Sequence, residues 1–421
     1  MSFGNGLALV DPQSYADHGY PHALMARLRK EAPVHRFEPP GWRPIWALTR
    51  QAEIREISRQ PERFVNGPRM TLVDLEAEAL EAEGSGSFGG MRTIINMDPP
   101  DHRAYRKVAS PWFTPNRLRR LDGIVKESAR YWVDEMAREG RGGEFDFITR
   151  VAAMHPLRVI GRILGVPEED EPFVLRLTNE LFGGEDPEFQ RSSDRQKRVV
   201  ELGTEFFQYF NEVLEDRRRN PRDDLVSVLA AARIDGQPMG PMETLGYCLI
   251  TFTAGHETTR GAIGGGLVAL MEHPEELAKL RADLSLIPSA MDEIVRWVTP
   301  VNWMARTATE GYELAGQQIA KDDTLVMFYA SANRDERVYE DPECFRVDRY
   351  PNPHLGFGVG EHFCLGANLA RKTSGALFTE IVSRLESIEI DGPVERLASN
   401  LVPGLKHLPI RCRIGPARVA T

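Results

Sequence analysis

The sequence predicts a mainly α-helical protein with a small β portion. Three observations carry that reading: long stretches with apolar residues at three- and four-residue spacing, few and short strand-like runs, and no internal repeat. Residues 118–138, 194–219 and 243–272 show the helical spacing most clearly. The strand signals are residues 46–49 (Trp-Ala-Leu-Thr), 312–314 and 325–329, several of them flanked by turn formers. The chain has 421 residues, 27% charged and 42% hydrophobic, which is enough to bury a substantial core.

Bulk properties exclude several functions. A net charge of −10 argues against a nucleic-acid binder, which needs a basic surface to displace counterions. No run of about 18 apolar residues is present, so no membrane span is expected. Residues 1–20 lack a basic segment followed by an apolar one, so no signal peptide is read there. The four cysteines (Cys248, Cys344, Cys364, Cys412) are too few for a disulfide scaffold and form no CxxC pair. Cys248, Cys344 and Cys412 read as small buried apolar residues. A reducing cytoplasm fits this usage.

Two segments break the helical pattern. Residues 75–90 are acidic and then Gly/Ser-rich, and are expected to form a mobile loop; residues 183–193 are a polar stretch between helices.

The run Phe357-Gly358-Val359-Gly360-Glu361-His362-Phe363-Cys364-Leu365-Gly366 is the most informative. Its glycines allow a tight backbone close to a flat ligand. Residues 367–385 then look helical, which places Cys364 just before a helix N-terminus, where a thiol's pKa falls. Such a thiolate suits a nucleophile, a metal ligand or a redox sensor. His362 lies near enough to serve a nucleophile, and local spacing leaves the three roles open.

This loop resembles the haem-binding loop of cytochromes P-450, Phe-Gly-x-Gly-x-His-x-Cys-x-Gly, at every fixed position. The resemblance implies one cytochrome P-450 domain over residues 1–421, a triangular helical prism enclosing haem b (iron protoporphyrin IX), with Cys364 as the axial iron ligand. Three further motifs fall in the family's order. Ala254-Gly255-His256-Glu257-Thr258-Thr259 sits inside a helix roughly 45 Å long. On its own it reads as a small-residue helix contact. By resemblance Gly255 opens a groove above the haem, beside Ala254, and Thr258 with Glu257 delivers protons to bound oxygen. Glu293 and Arg296, an ordinary i,i+3 pair in isolation, resemble the family's Glu-x-x-Arg, and Arg349 falls where their structural partner is expected. His102 and Arg106 follow a helix start at Asp98-Pro99-Pro100-Asp101. With His362 and Arg306 they are expected at the haem propionates. Phe357 and Gly366 are assigned to the haem loop.

The family's reaction inserts one atom of O2 into a substrate, using two electrons and two protons. By analogy the substrate pocket draws on residues 71–95, 181–193, 250–254, 301–304 and 401–402. Ile250, Ala254, Val301, Trp303, Met304 and Val402 are its expected walls. They are mostly apolar and imply a terpene, aromatic hydrocarbon or steroid-like substrate, with residues 85–90 as a lid. Arg103, Arg106, Lys107, Arg371 and Lys372 form a basic patch suited to an acidic ferredoxin, in turn served by its reductase. The alternatives are a haem-thiolate peroxygenase and a non-catalytic haem sensor. The intact Glu257-Thr258 pair weighs against the first, and the lack of any signalling module against the second.

Overall fold

The structure, a computed structural model, describes residues 3–82, 91–142 and 145–416. Its axis is the helix Pro241–Glu272, 32 residues long, started by proline at its first position. Residues on all sides of this helix are buried, because helices Met154–Leu164, Ile287–Val298 and Ala367–Arg384 pack around it. The poor helix formers at 264–266 are where neighbours come closest. A β-carbon on Gly264, Gly265 or Gly266 would lie 2.4 Å from Ile148, 2.8 Å from Val298 and 2.8 Å from Ile294 respectively. Helix Asp122–Glu139 buries Val125, Ala129, Trp132, Val133 and Met136, a stripe at three- and four-residue spacing, and lies along Ala367–Arg384.

The β portion is small. A five-stranded sheet runs in the order Val34–Phe37, Ile45–Leu48, Thr324–Phe328, Trp303–Ala308, Phe64–Val65. Its Ile45–Leu48 and Thr324–Phe328 strands pair in parallel and the other neighbours antiparallel. Successive side chains of a strand point to opposite faces. Accordingly Trp303 and Ala305 enter a core cluster with Val326 and Phe328, while Met304 and Arg306 turn to the other side. A second sheet joins Leu385–Ile390, Pro409–Ile414 and Phe145–Asp146.

Two expectations are corrected. The acidic part of the 75–90 segment is a helix, Leu75–Ala82, and not a loop. Leu, Glu and Ala are good helix formers, and Asp74 Oδ1 accepts the Ala77 N–H at 2.7 Å to start it. The proposed lid at 85–90 lies outside the described residues. Cys248 and Cys412 are buried as expected, but Cys344 is exposed. Among the described residues no helix is long and apolar enough to cross a membrane.

Candidate haem and substrate site

Cys364 sits between the sheet and the long helix, on a loop made tight by two glycines. Gly358 and Gly360 have φ of +69° and +79°, and a β-carbon on Gly360 would fall 2.3 Å from the Ser58 carbonyl oxygen. The Cys364 N–H donates to Phe357 O at 2.9 Å, and the Gly366 N–H points to the thiol. Burial pushes this thiol above its ordinary range, against Gly366, Arg106 and Arg371, which favour the thiolate. The expected fall from the helix terminus is therefore outweighed by desolvation. The sulfur's surface is open to a cavity of about 240 Å³.

The cavity is a slot. Cys364, Leu365, Gly366 and Phe357 form one broad side. The long helix contributes Ile250, Thr251, Ala254, Gly255, Thr258 and Thr259, which follow one another at helical spacing. The hydroxyls of Thr258 and Thr259 bond back into the helix: Thr258 donates to Ala254 O at 2.7 Å and Thr259 to Gly255 O at 2.8 Å. Met70, Ile94, Ile95, Val301 and Met304 close the apolar end.

Arg106, Arg306, His362 and Asn66 line one polar edge. Arg306 is buried, and among the described residues its side chain makes one hydrogen bond, from Nη1 to the Ala305 carbonyl at 2.7 Å. His102 stands behind this edge, its ring tilted by 35° against His362 with centroids 4.0 Å apart. His102 Nδ1 meets Glu361 Oε1 at 3.3 Å. Burial, with Arg306, His102 and Arg106 adding to it, drives His362 down to about 2. The Nε2 atoms of both histidines are buried without a partner among the described residues.

Several expected residues lie elsewhere. Glu257 is on the far side of the long helix, fully buried, with Oε1 accepting from Arg260 Nη2 at 2.6 Å. Arg260 also donates to Asn179 Oδ1 at 2.9 Å, and Glu257 Oε2 has no partner. Burial raises the Glu257 carboxyl above its usual range, with Arg260 opposing. Trp303 does not line the cavity, because strand alternation turns it to the opposite face of the sheet. Val402 is buried outside it, in a turn where its N–H donates to Ser399 Oγ at 3.2 Å. No residue of 181–193 or 401–402 reaches the lining. Sequence reasoning missed Asn66 and Phe113, while Thr251 falls within the expected 250–254 stretch. Single polar or aromatic residues in unremarkable surroundings carry no periodic signal.

Glu293 and Arg296 are both completely buried, and join through two bonds of 2.7 Å. Arg349 Nε reaches the same carboxylate at 3.1 Å, and both arginines donate to the Cys344 carbonyl oxygen. This network packs against the segment that leads to the cysteine loop.

The polar edge is a test of what the slot holds. Two guanidinium groups and two imidazoles converge there with too few acceptors, which is costly for buried groups. A ligand bearing carboxylates at one edge would satisfy them. Among the described residues no group of three His, Cys, Asp or Glu could hold a metal ion. A metal facing Cys364 therefore needs a ligand that brings its own donors. A flat iron porphyrin with two propionates meets all these conditions.

The sequence profile of the cytochrome P450 family matches residues 22–401. The chain belongs to the cytochrome P450 family. It is 38% identical to cytochrome P450-terp of a Pseudomonas species over 412 residues, 96% of each chain. It is 37% identical to the steroid C26-monooxygenase of Mycobacterium tuberculosis H37Rv, over 96% of this chain and 92% of that one. The crystal structure of CYP108D1 from Novosphingobium aromaticivorans superposes with a TM-score of 0.90 at 36% identity, covering 98% of this chain and 99% of that one. This P450 is a monooxygenase that binds haem b.

Proposed function

We propose that this P450 hydroxylates a hydrophobic small molecule of terpene, aromatic-hydrocarbon or steroid-like type, with O2 as oxygen source and an acidic ferredoxin as electron donor. The observation that carries the substrate class is the apolar end of the slot. Met70, Ile94, Ile95, Ile250, Val301 and Met304 line it, and none brings a charge. Burying apolar surface there stabilises a ligand by about 25 cal/mol per Å². The cavity's charged lining residues are Arg106, Arg306 and Arg371, the first two grouped with His362. The relative named for steroid C26 oxidation is in keeping with this class.

When bound, the haem supplies activation of O2 and transfer of one oxygen atom to a C–H bond. The chain supplies the setting. Cys364 binds the iron through sulfur, and His362, Arg306 and Arg106 bind the propionates, with His102 supporting His362. Thr258 is the hydroxyl best placed to hold a proton near the reacting oxygen. Its hydrogen goes to Ala254 O, so its lone pairs face the cavity. Glu257 starts on the wrong side of the helix for direct contact. It passes a proton to Thr258 only by leaving Arg260 or through water at its unpartnered Oε2.

Most of the basic patch is internally compensated. Arg103 pairs with Glu361 and Glu62, Arg371 with Asp292, and Lys372 with Asp122. Arg106 turns inward to the Phe363 carbonyl. Lys107 is exposed with no ion-pair partner among the described residues, and is the cation best able to meet an acidic donor.

Titration of the holoenzyme with a panel of terpenes, alkylbenzenes and steroids tests the substrate class. A ligand-induced high-spin shift, followed by a hydroxylated product with NADH, a ferredoxin and its reductase, is expected. Shifts by charged compounds alone would overturn it. Lys107→Glu is expected to slow the first reduction step several-fold at low salt, and an unchanged rate removes Lys107 from the docking surface.

A further inference from the structure

We infer that Asn66 is a positioning residue that sets the tautomer of His362, so that the ring offers an N–H rather than a lone pair to a haem carboxylate. The inference rests on reading the polar edge as the carboxylate cradle. Asn66 follows the short strand Phe64–Val65, is 3% exposed and lines the cavity. Its backbone is pinned: the N–H groups of Asn66 and Gly67 donate to the two oxygens of Asp98 at 2.6 and 3.0 Å. Its amide orientation is settled by Ile95, whose carbonyl oxygen accepts from Asn66 Nδ2. Turning the amide over would set two oxygens against each other. The second N–H of the same amide faces His362 Nδ1 at 3.3 Å. The amide keeps this arrangement although its Oδ1 finds no partner.

A donor facing Nδ1 requires a lone pair on Nδ1. The hydrogen of the neutral ring must then sit on Nε2. That atom is buried, has no acceptor among the described residues, and belongs to the edge shared with Arg106 and Arg306. An ionised carboxylate only accepts hydrogen bonds, so this tautomer alone can bind one. The neighbouring His102 is set the other way. Glu361 Oε1 accepts at its Nδ1, which leaves a lone pair on Nε2 of the neutral ring. Of the two imidazoles, Asn66 therefore makes His362 the donor. Without the amide, His362 is free to take either tautomer, and part of the population turns a lone pair toward the carboxylate.

The test uses holoenzyme carrying Asn66→Leu, which keeps the shape and removes the N–H groups. Two readouts are taken: haem transfer to excess apomyoglobin, and the ferric–ferrous midpoint potential. Haem loss is expected to rise roughly tenfold, the scale of one hydrogen bond to a charged group. The potential is expected to move negative, because the carboxylate is less neutralised. The same substitution is then made on His362→Arg, whose guanidinium is a donor without tautomers. There Asn66→Leu is expected to change haem loss less than about twofold. Equal effects in both backgrounds, or no effect in the natural one, would overturn the inference and leave Asn66 a turn anchor. If Asn66→Leu does not take up haem, Asn66→Ala removes the same donor without bulk and is read the same way. His362→Leu and Arg306→Leu separate the two readings: if neither speeds haem loss, the cradle itself is wrong.

Discussion

Cys364, Thr258 and Glu257 show what a single position reveals. Residue type and motif single out Cys364 and Thr258, and both line the cavity. Glu257 was found by the same motif, yet its direction is set by helix phase: 100° per residue carries it away from Thr258's side and into the Arg260 pair. Trp303 failed for the corresponding reason in a strand, where one residue reverses the face. Replacing Cys364 by Ser is expected to abolish the strongly red-shifted Soret band of the reduced, carbon monoxide-bound protein; a retained band would mean that another group ligates the iron. Thr258→Val removes a hydroxyl whose hydrogen bond is local. It should leave the melting temperature within a few degrees while lowering product formed per NADH by roughly tenfold or more. Unchanged coupling would place the proton route elsewhere.

At the scale of the element, the segment before the cysteine loop hangs on one buried carboxylate. Glu293 accepts from Arg296, Arg349, the Arg346 N–H and Asn352. Removing its charge leaves two guanidinium groups buried and unpaired. Glu293→Gln is therefore expected to destabilise the fold by about 3–5 kcal/mol, read as a lower urea midpoint with unchanged slope. A loss under about 1 kcal/mol, the size of a surface pair, would show that water reaches the network. The sequence marked Glu293 and Arg296 as neighbours on a helix, but such a pair is usually solvated. Burial became visible only when residues 340–352 closed over it. The helix Leu75–Ala82 teaches the opposite lesson: its local propensity was plain, and the Gly/Ser run after it drew attention away.

Across the whole molecule, an ionic network joins segments far apart in sequence. Lys406 reaches Asp186, Glu188 and Glu395, and His407 lies between Asp146 and Glu188 at 2.5 and 2.9 Å. Asp186 also accepts the Ala398 N–H. The 183–193 segment is thereby tied to the hairpin of Glu395–Arg396 and Leu405–His407. Burial works against charge on His407, but the Asp146 and Glu188 carboxylates outweigh it and hold the imidazole above its ordinary value of 6.5. The raised value fixes the sign: the tie is fully formed below about pH 6.5 and is lost as pH rises through the folded-state value. Hydrogen exchange in 183–193, corrected for its intrinsic pH dependence, should be faster at pH 8.5 than at pH 6. His407→Leu should remove that difference, and a pH dependence that survives the substitution would assign it to another group.

The sequence alone determined the fold class, and it marked Cys364, Thr258, His362, Arg106 and Arg306 as candidates for the haem site. Those are properties of residue type at fixed spacing, carried by local backbone demands such as the two left-handed glycines before Cys364. The tertiary structure decided which side of each element faces the slot, which charges are already paired, and that Asn66 belongs with His362. These depend on segments separated by hundreds of residues, 296 in the last case, and no local periodicity records which of them will meet.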